Sequence, residues 1–357
     1  MKLRKKSRQL HRGLAALLLV ILALAVTGCG KSGNSAAAEA DSAQQGDLTL
    51  VIGAYSVVKD AMGEILPLFA AKWKAETGQA IAFQQSYEAS GTQARAITGG
   101  FEADVTLLAM EGDVEKLVKA GLVDPAWKER GENGMVTRSV VALGTREGNP
   151  KGITSFADLA KPGVKVLYPN PKTSGGAQWD INAIYGAGLK LSEKQEGVKN
   201  PAAAKAFLES VHQNVESLDK SGRASMAAFE YGVGDVIVTY ENELLARIAK
   251  GVPYEIIIPR DTILIENPAA VVDKYADERG TREAAEALVD FLLTPQAQEV
   301  FAKHGFRPVD EQVYAAHASR YPKPADLFDI HYLGGWDEVR STLYSKRGIW
   351  YQVLAGI

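Results

Sequence analysis

The sequence predicts an α/β protein of two lobes, each a mostly parallel β-sheet flanked by helices, with a ligand cleft between them. Three observations lead to this prediction. Apolar, β-rich runs alternate with segments of helical spacing, which is typical of parallel sheets covered by helices. The chain has 357 residues, enough for two domains. Two long extended stretches divide the pattern into sets that fit two lobes.

The first set of elements follows a βαβα order. Apolar runs predict strands at 48–54, 81–85 and 105–109. Apolar residues three and four apart predict the helices that follow them, at 58–76, 91–98 and 112–120. Gly78 ends the first helix, as glycine commonly does.

The second set repeats the alternation. We predict strands at 164–168, 215–218, 236–240 and 255–258, and helices at 175–188, 201–212, 224–231 and 241–250. The tail is mainly helical, most clearly at 281–293 and 295–304.

Two extended stretches, 137–146 and 261–273, are the predicted crossings between the lobes. Lobe one then holds 47–138 and 265–357, and lobe two holds 139–264. The ligand is expected between them, because sheets of this kind bind ligands at the carboxyl ends of their strands.

The amino-terminal residues predict export and lipid anchoring. Residues 1–28 carry six lysine and arginine residues and no acidic residue, and their apolar run at 14–26 is short for a membrane-spanning helix. The run ends in Val26-Thr27-Gly28-Cys29, which resembles the lipobox of bacterial lipoprotein signals. That resemblance implies cleavage before Cys29 and lipidation of its thiol, with attachment to the outer face of the cell membrane. Residues 29–46 are small and polar and predict a flexible tether.

The composition argues against several other classes of protein. Without the basic leader, the chain is more acidic than its net charge of −3 suggests, which disfavours nucleic-acid binding. Cys29 is the single cysteine, so a disulfide framework is excluded. The five histidines show no metal-ligand spacing, and no Walker A, GxGxxG or GxSxG motif occurs. We expect no cofactor, no metal and no catalytic activity, and a monomer.

Small polar residues recur where a predicted strand gives way to a helix. The four instances are the segments around Ser56, Ser90, Ser174-Gly175-Gly176 and Gly222. Each places free backbone N–H groups and the positive end of a helix dipole at the carboxyl end of a strand. Two successive glycines in the first turn of a helix disfavour it unless something must approach the backbone closely. Together the four segments predict an anion site made of dipoles.

Several segments in order along the chain resemble bacterial sulfate-binding proteins, the receptors of sulfate and thiosulfate ABC importers. They include 73–78 (WKAETG), 90–94 (SGTQA), 161–166 (KPGVKV), 169–179 (PNPKTSGGAQW), 241–243 (ENE) and 334–336 (GGW). The resemblance implies the type II periplasmic-binding fold, with an ABC permease and its ATPase as partners. It also implies ligand contacts from hydroxyl and backbone donors at Ser56, Ser90, Ser174, Gly175, Gly176 and Gly222.

Two departures from that family leave the ligand open. Tyr240 stands where the family usually has a tryptophan that donates to the anion, and a tyrosine hydroxyl can also accept. Glu88 lies close to Ser90 in sequence and would supply an acceptor if it faced the cleft. Sulfate carries no proton at neutral pH and suits a site of donors alone, whereas phosphate needs an acceptor. Thiosulfate, phosphate and molybdate remain alternatives, as does a secreted serine hydrolase using Ser90 or Ser174.

Overall fold

The computed structural model describes residues 47–357. The predicted signal peptide at 1–28, the lipidation of Cys29 and the tether at 29–46 lie outside the described residues and stay predictions. Within the described residues, no helix is both long and apolar enough to span a membrane.

Nine strands of the described chain form one continuous pairing pattern. Their order is β2-β1-β3-β9-β4-β7-β5-β6, with β8 paired to β4. The bounds are β1 (Leu48–Tyr55), β2 (Ile81–Glu88), β3 (Val105–Leu107), β4 (Met135–Thr145), β5 (Val166–Pro169), β6 (Val215–Asp219), β7 (Val236–Tyr240), β8 (Glu255–Ile257) and β9 (Leu264–Val271).

Two parallel sets of strands are joined by a pair of long antiparallel strands. In lobe one, β1 runs parallel to both β2 and β3. In lobe two, β5 runs parallel to both β6 and β7. Strand β4 pairs with β9 along its first half and with β7 and β8 along its second half. The predicted boundary at 138/139 therefore falls within β4, and the boundary at 264/265 falls at the start of β9.

Helices cover both parallel sets. Their bounds are α1 (Lys59–Thr77), α2 (Ser90–Thr98), α3 (Glu111–Lys119), α4 (Gly175–Glu196), α5 (Pro201–His212), α6 (Gly222–Glu230), α7 (Glu241–Ile248), α8 (Asp273–Glu278), α9 (Arg282–Leu292), α10 (Pro295–Lys303), α11 (Glu311–Ala316), α12 (Gly335–Thr342) and α13 (Ile349–Ala355). The buried face of α1, including Met62, Ile65 and Phe69, packs into the main hydrophobic core.

Helix α4 is longer than the sequence predicted. We expected it to stop at Gly188, but it continues to Glu196 and ends at Gly197, whose φ of 80° lies in the left-handed region that favours glycine. Gly188 serves packing instead, because a Cβ there would come within 2.9 Å of the Ala204 backbone. The glycine lets α4 and α5 approach closely.

The carboxyl-terminal segment packs against lobe two. Asp326 forms an ion pair with Lys190 of α4 at 2.9 Å, and the Tyr344 hydroxyl donates to Asn182 of α4 at 2.9 Å. The Trp350 ring meets the edge of Tyr168 in β5. These residues belong to the range that the sequence assigned to lobe one. The division of the chain into lobes stays a prediction.

A buried ion pair fixes the start of α7. Glu241 accepts two hydrogen bonds from the Arg307 guanidinium, at 2.7 and 3.0 Å, and both side chains are buried. Burial raises the pKa of Glu241, and the neighbouring Arg307 opposes that rise only in part. Arg307 also exchanges two backbone hydrogen bonds with Arg138 of β4. The pair therefore ties α7 to β4.

Replacing one member of this pair should destabilise the fold strongly. In Glu241→Gln, Arg307 keeps its charge in a buried place without a counter-ion, so the free energy of unfolding should fall by about 3–5 kcal/mol. The double variant Glu241→Leu/Arg307→Met should recover most of that loss. Urea-induced unfolding measures both.

The exposed ion pair of Lys165 and Glu216, at 3.3 Å, is the control. Glu216→Gln should lower the free energy of unfolding by less than about 1 kcal/mol. A loss as small as this in Glu241→Gln would show that the buried pair does not hold α7.

Candidate functional site

The strands of both lobes present their carboxyl ends to one small cavity. The chain leaves β1 at Tyr55, β2 at Glu88, β5 at Pro169 and β7 at Tyr240. The cavity has a volume of about 20 Å³, which fits a compact ligand only. Its lining comprises Tyr55, Ser56, Val57, Ala89, Ser90, Ala109, Pro169, Ser174, Gly176, Asp180, Ser221, Gly222, Thr239 and Tyr240.

The structure brings the sequence-predicted residues together. Six of the seven line the cavity, namely Ser56, Ser90, Ser174, Gly176, Gly222 and Tyr240. The seventh, Gly175, lies between two lining residues and packs against Ser90 and Ala109 of lobe one. Residues from both lobes therefore meet around one space.

The start of α4 forms a closely packed part of the cavity lining and offers free N–H groups there. The Ser174 hydroxyl caps the helix by accepting from the Ala177 N–H at 3.2 Å. The N–H groups of Gly175 and Gly176 belong to the first turn, where a helix offers no internal acceptor. A Cβ at Gly175 would lie 3.0 Å from the Ala109 Cβ and 3.1 Å from a carboxylate oxygen of Asp113. A larger residue would have to push these neighbours apart by a few tenths of an ångström, so glycine favours the close approach of lobe one to the helix.

The start of α2 faces α4 from lobe one. Ser90 is the first residue of α2, so its backbone N–H has no acceptor within the helix. Its hydroxyl donates to Asp113 at 2.5 Å and accepts from the Ala109 N–H at 2.9 Å. We expected a hydroxyl donor to the anion here, but Asp113 already takes that proton. In this arrangement the free donor of Ser90 is its backbone N–H.

The start of α6 meets the end of β1. Ser221 caps α6 by accepting from the Ala224 N–H, and Gly222 is the first helical residue. Arg223 reaches across to lobe one, where its guanidinium donates to the Ser56 carbonyl at 3.3 Å and lies 3.5 Å from the Asp60 carboxylate. Burial tends to raise the pKa of Asp60, but Arg223 and Lys250 outweigh it and lower that pKa. Arg223 thus links the lobes beside the cavity.

Tyr240 presents a buried hydroxyl to the cavity. The side chain is 3% exposed, and its hydroxyl oxygen makes no well-aligned hydrogen bond to another described residue. Burial raises the pKa of Tyr240 well above its usual range, so the group stays neutral. It can therefore donate a hydrogen bond to a ligand, which is the role the sequence suggested for it.

Asp180 is a lining residue that the sequence did not reveal. It lies one helical turn after Gly176 on α4, within a predicted helix where an acidic residue carries no special signal. Its side chain is 1% exposed. Glu88, which we considered as an acceptor, is instead exposed at the end of β2 and does not line the cavity.

The lining contains no lysine, arginine or histidine. Positive potential in the cavity therefore comes from backbone N–H groups and helix starts, a combination that suits a small anion. Among the described residues, no cluster of histidine and acidic side chains forms a metal site. The three described histidines that hydrogen bond to side chains, His212, His304 and His317, contact Tyr168, Glu64 and Glu299 respectively.

Comparison with known proteins identifies the class. The sequence profile of the bacterial extracellular solute-binding protein family matches residues 33–307. The chain belongs to this family, and the predicted two-lobed α/β fold is confirmed.

The most informative relatives are sulfate-binding proteins. The chain is 42% identical over 352 residues to the sulfate-binding protein of Synechococcus elongatus, covering 96% of each chain. It is 36% identical to the sulfate-binding protein of Escherichia coli, covering 88% of this chain and 95% of that one. The thiosulfate-binding protein of Pseudomonas aeruginosa is 35% identical, with 84% and 90% covered.

Solved structures agree with this grouping. The sulfate-binding protein SubI of Mycobacterium tuberculosis superposes with a TM-score of 0.76 at 36% identity, covering 84% of this chain and all of that chain. A periplasmic thiamin binding protein shares the fold at 16% identity, with a TM-score of 0.62, covering 86% and 96%. The predicted resemblance to sulfate-binding proteins is confirmed.

Proposed function

We propose that this protein is an extracytoplasmic receptor that captures sulfate and delivers it to an ABC importer. The observation that carries the proposal is the small cavity between the lobes, lined by helix starts and neutral hydroxyl groups without a cationic side chain. Relatives that are named sulfate-binding proteins and align over nearly the whole chain support the same ligand.

The donors around the cavity favour a fully ionised oxyanion. The first turns of α2, α4 and α6 each offer backbone N–H groups, and these can only donate. Sulfate accepts at every oxygen. Phosphate carries a proton near neutral pH, and a buried proton without an acceptor disfavours binding by about 1–3 kcal/mol. Thiosulfate is a second candidate, because a thiosulfate-binding relative is 35% identical.

A hydrolase function has little support at this site. A serine nucleophile needs a base within hydrogen-bond reach. No histidine lines the cavity, and the Ser90 hydroxyl is held by Asp113 while the Ser174 hydroxyl caps α4. We therefore propose binding without catalysis.

Calorimetry against oxyanions tests the ligand. Sulfate should bind at least about tenfold more tightly than phosphate, since an unsatisfied buried proton of phosphate weakens its binding. Affinity should respond weakly to an inert salt, because the donors are buried dipoles. Tighter binding of phosphate, or of molybdate, would replace sulfate as the ligand and keep the oxyanion site.

Gly175→Ala should weaken sulfate binding by about 10- to 100-fold, as an overpacked contact costs about 1–3 kcal/mol. The new Cβ would lie 3.0 Å from the Ala109 Cβ, so it would obstruct closure of the lobes. Calorimetry gives the affinity, and small-angle scattering with saturating sulfate should show a larger radius of gyration than that of the wild type.

Gly222→Ala is the matched comparison, because Gly222 is likewise the first residue of its helix. Its Cβ would lie 3.7 Å from Val57, an ordinary contact, and the backbone N–H is retained. The loss of affinity should stay below about threefold. Equal losses in the two variants would show that the contact of Gly175 with lobe one is not what limits closure.

The lipobox-like segment supports a lipid anchor at Cys29, which would hold the receptor on the outer face of the membrane. We also propose that the receptor is a monomer and that its partners are an ABC permease and the ATPase of that permease. Cys29→Ser should abolish anchoring and leave sulfate affinity unchanged, because the described lining of the cavity comes from residues between Tyr55 and Tyr240. Membrane fractionation followed by calorimetry on the released protein measures both. Retention of the variant at the membrane would contradict the lipid anchor.

A further inference from the structure

Asp180 is one of the residues that line the space in which the anion is proposed to bind. It follows Gly176 by four residues on α4, so the two lie on the same face of the helix. Both line the cavity, together with the Tyr240 ring that lies beside Gly176. An acid in this position is unexpected, because an ionised carboxylate repels an anion.

No other described residue neutralises Asp180. Its side chain takes part in no hydrogen bond and no ion pair within residues 47–357, and its Oδ1 atom is fully buried without a partner. Three tyrosines lie close enough for Asp180 to contribute to the rise of their pKa values, namely Tyr168 of β5, Tyr240 of β7 and Tyr344, which follows α12. All three are neutral, because burial raises their pKa values well above the usual range.

A carboxyl group in such surroundings favours its neutral form. Burial raises the pKa of Asp180 well above its ordinary value, and no nearby cation opposes that effect. A bound oxyanion raises it further, since two like charges in one desolvated site disfavour each other. The neutral acid has an O–H group that can donate a hydrogen bond.

We propose that Asp180 holds a proton in the anion complex and donates it in a hydrogen bond to the bound oxyanion. This inference rests on the proposed function, in which the ligand is a fully ionised oxyanion. Asp180 would then complete the set of donors formed by the helix starts, and the receptor would be a proton-dependent binder.

The pH dependence follows from linkage. At low pH, Asp180 is protonated in both the free and the bound protein, so affinity is independent of its titration. Above its pKa in the free protein, a proton must be taken up for binding, and affinity falls by up to about tenfold for each further pH unit. Sulfate itself does not titrate in this range, so the change belongs to the protein.

Infrared spectroscopy of the sulfate complex at about pH 7 tests the protonation directly. A carbonyl band of a protonated carboxylic acid should be present in the wild type and absent in Asp180→Asn. Glu88→Gln, which changes an exposed acid outside the cavity, should leave the band in place. Absence of the band from the wild-type complex would overturn the proposal.

Calorimetry tests the hydrogen bond. In the wild type, sulfate affinity should begin to fall at the pH at which the band disappears from the free protein. Asp180→Asn keeps an N–H donor in the same place, so its affinity should stay within about tenfold of the wild type near neutrality and should not follow that fall. Affinity that is indifferent to the loss of the band would contradict the coupling.

Failure of the proposed function is separable from failure of this inference. A wild-type protein that binds no sulfate at any pH would refute the sulfate receptor, whatever the band shows. Tight sulfate binding by a protein whose Asp180 is ionised would refute only the inference. Should Asp180→Asn not fold, the wild-type band and the wild-type affinity, titrated together, still decide.

Discussion

The site depends on one constraint, which is that the strands of both lobes end at the same place. Because β1 and β2 run parallel in lobe one, and β5 and β6 run parallel in lobe two, the helices that follow them all begin beside the same cavity. Each start contributes N–H groups that its own helix cannot satisfy. Four such starts, those of α2, α4, α6 and the short 3-10 helix Ser56–Val58 that follows β1, give an anion several donors without a cationic side chain in the lining. The strands that precede the starts fix the direction of these donors.

Close approach of the lobes is the second requirement, and it depends on residues that carry no special signal in the sequence. Gly175 leaves room for Ala109, whose carbonyl accepts from the Trp179 indole at 2.7 Å and from the Asn267 side chain at 2.8 Å. One backbone carbonyl of lobe one is therefore held both by α4 of lobe two and by the connecting strand β9. A change at any of these residues would alter the distance between the helix starts, and therefore the size of the cavity, even where the residue makes no direct contact with a ligand.

The sequence predicted the parts of this arrangement that depend on local pattern. Strand β7 and helix α5 were predicted with their observed bounds, because their apolar spacing and flanking residues are unambiguous. The end of α4 was predicted wrongly because a glycine that serves packing against Ala204 has the same local signal as a glycine that ends a helix. Asp180 and Asp113 were missed for a related reason. An acidic residue within a helix is normally solvated, and only the tertiary fold shows that these two are buried at the site.

A buried acid also bears on how the site distinguishes its ligands. In the proposed complex, one proton lies between the protonated carboxyl group and the sulfate dianion. The carboxyl group is its donor, and a sulfate oxygen is its acceptor. With hydrogen phosphate in the same place, the ligand brings a second proton, and the helix N–H groups around it can accept nothing. The carbonyl oxygen of the neutral Asp180 carboxyl group could accept that proton, but its O–H must donate to the ligand at the same time, so one carboxyl group would have to satisfy two hydrogen bonds in fixed directions. The N–H groups of the helix starts can only donate, so the arrangement fits best an anion that arrives without a proton.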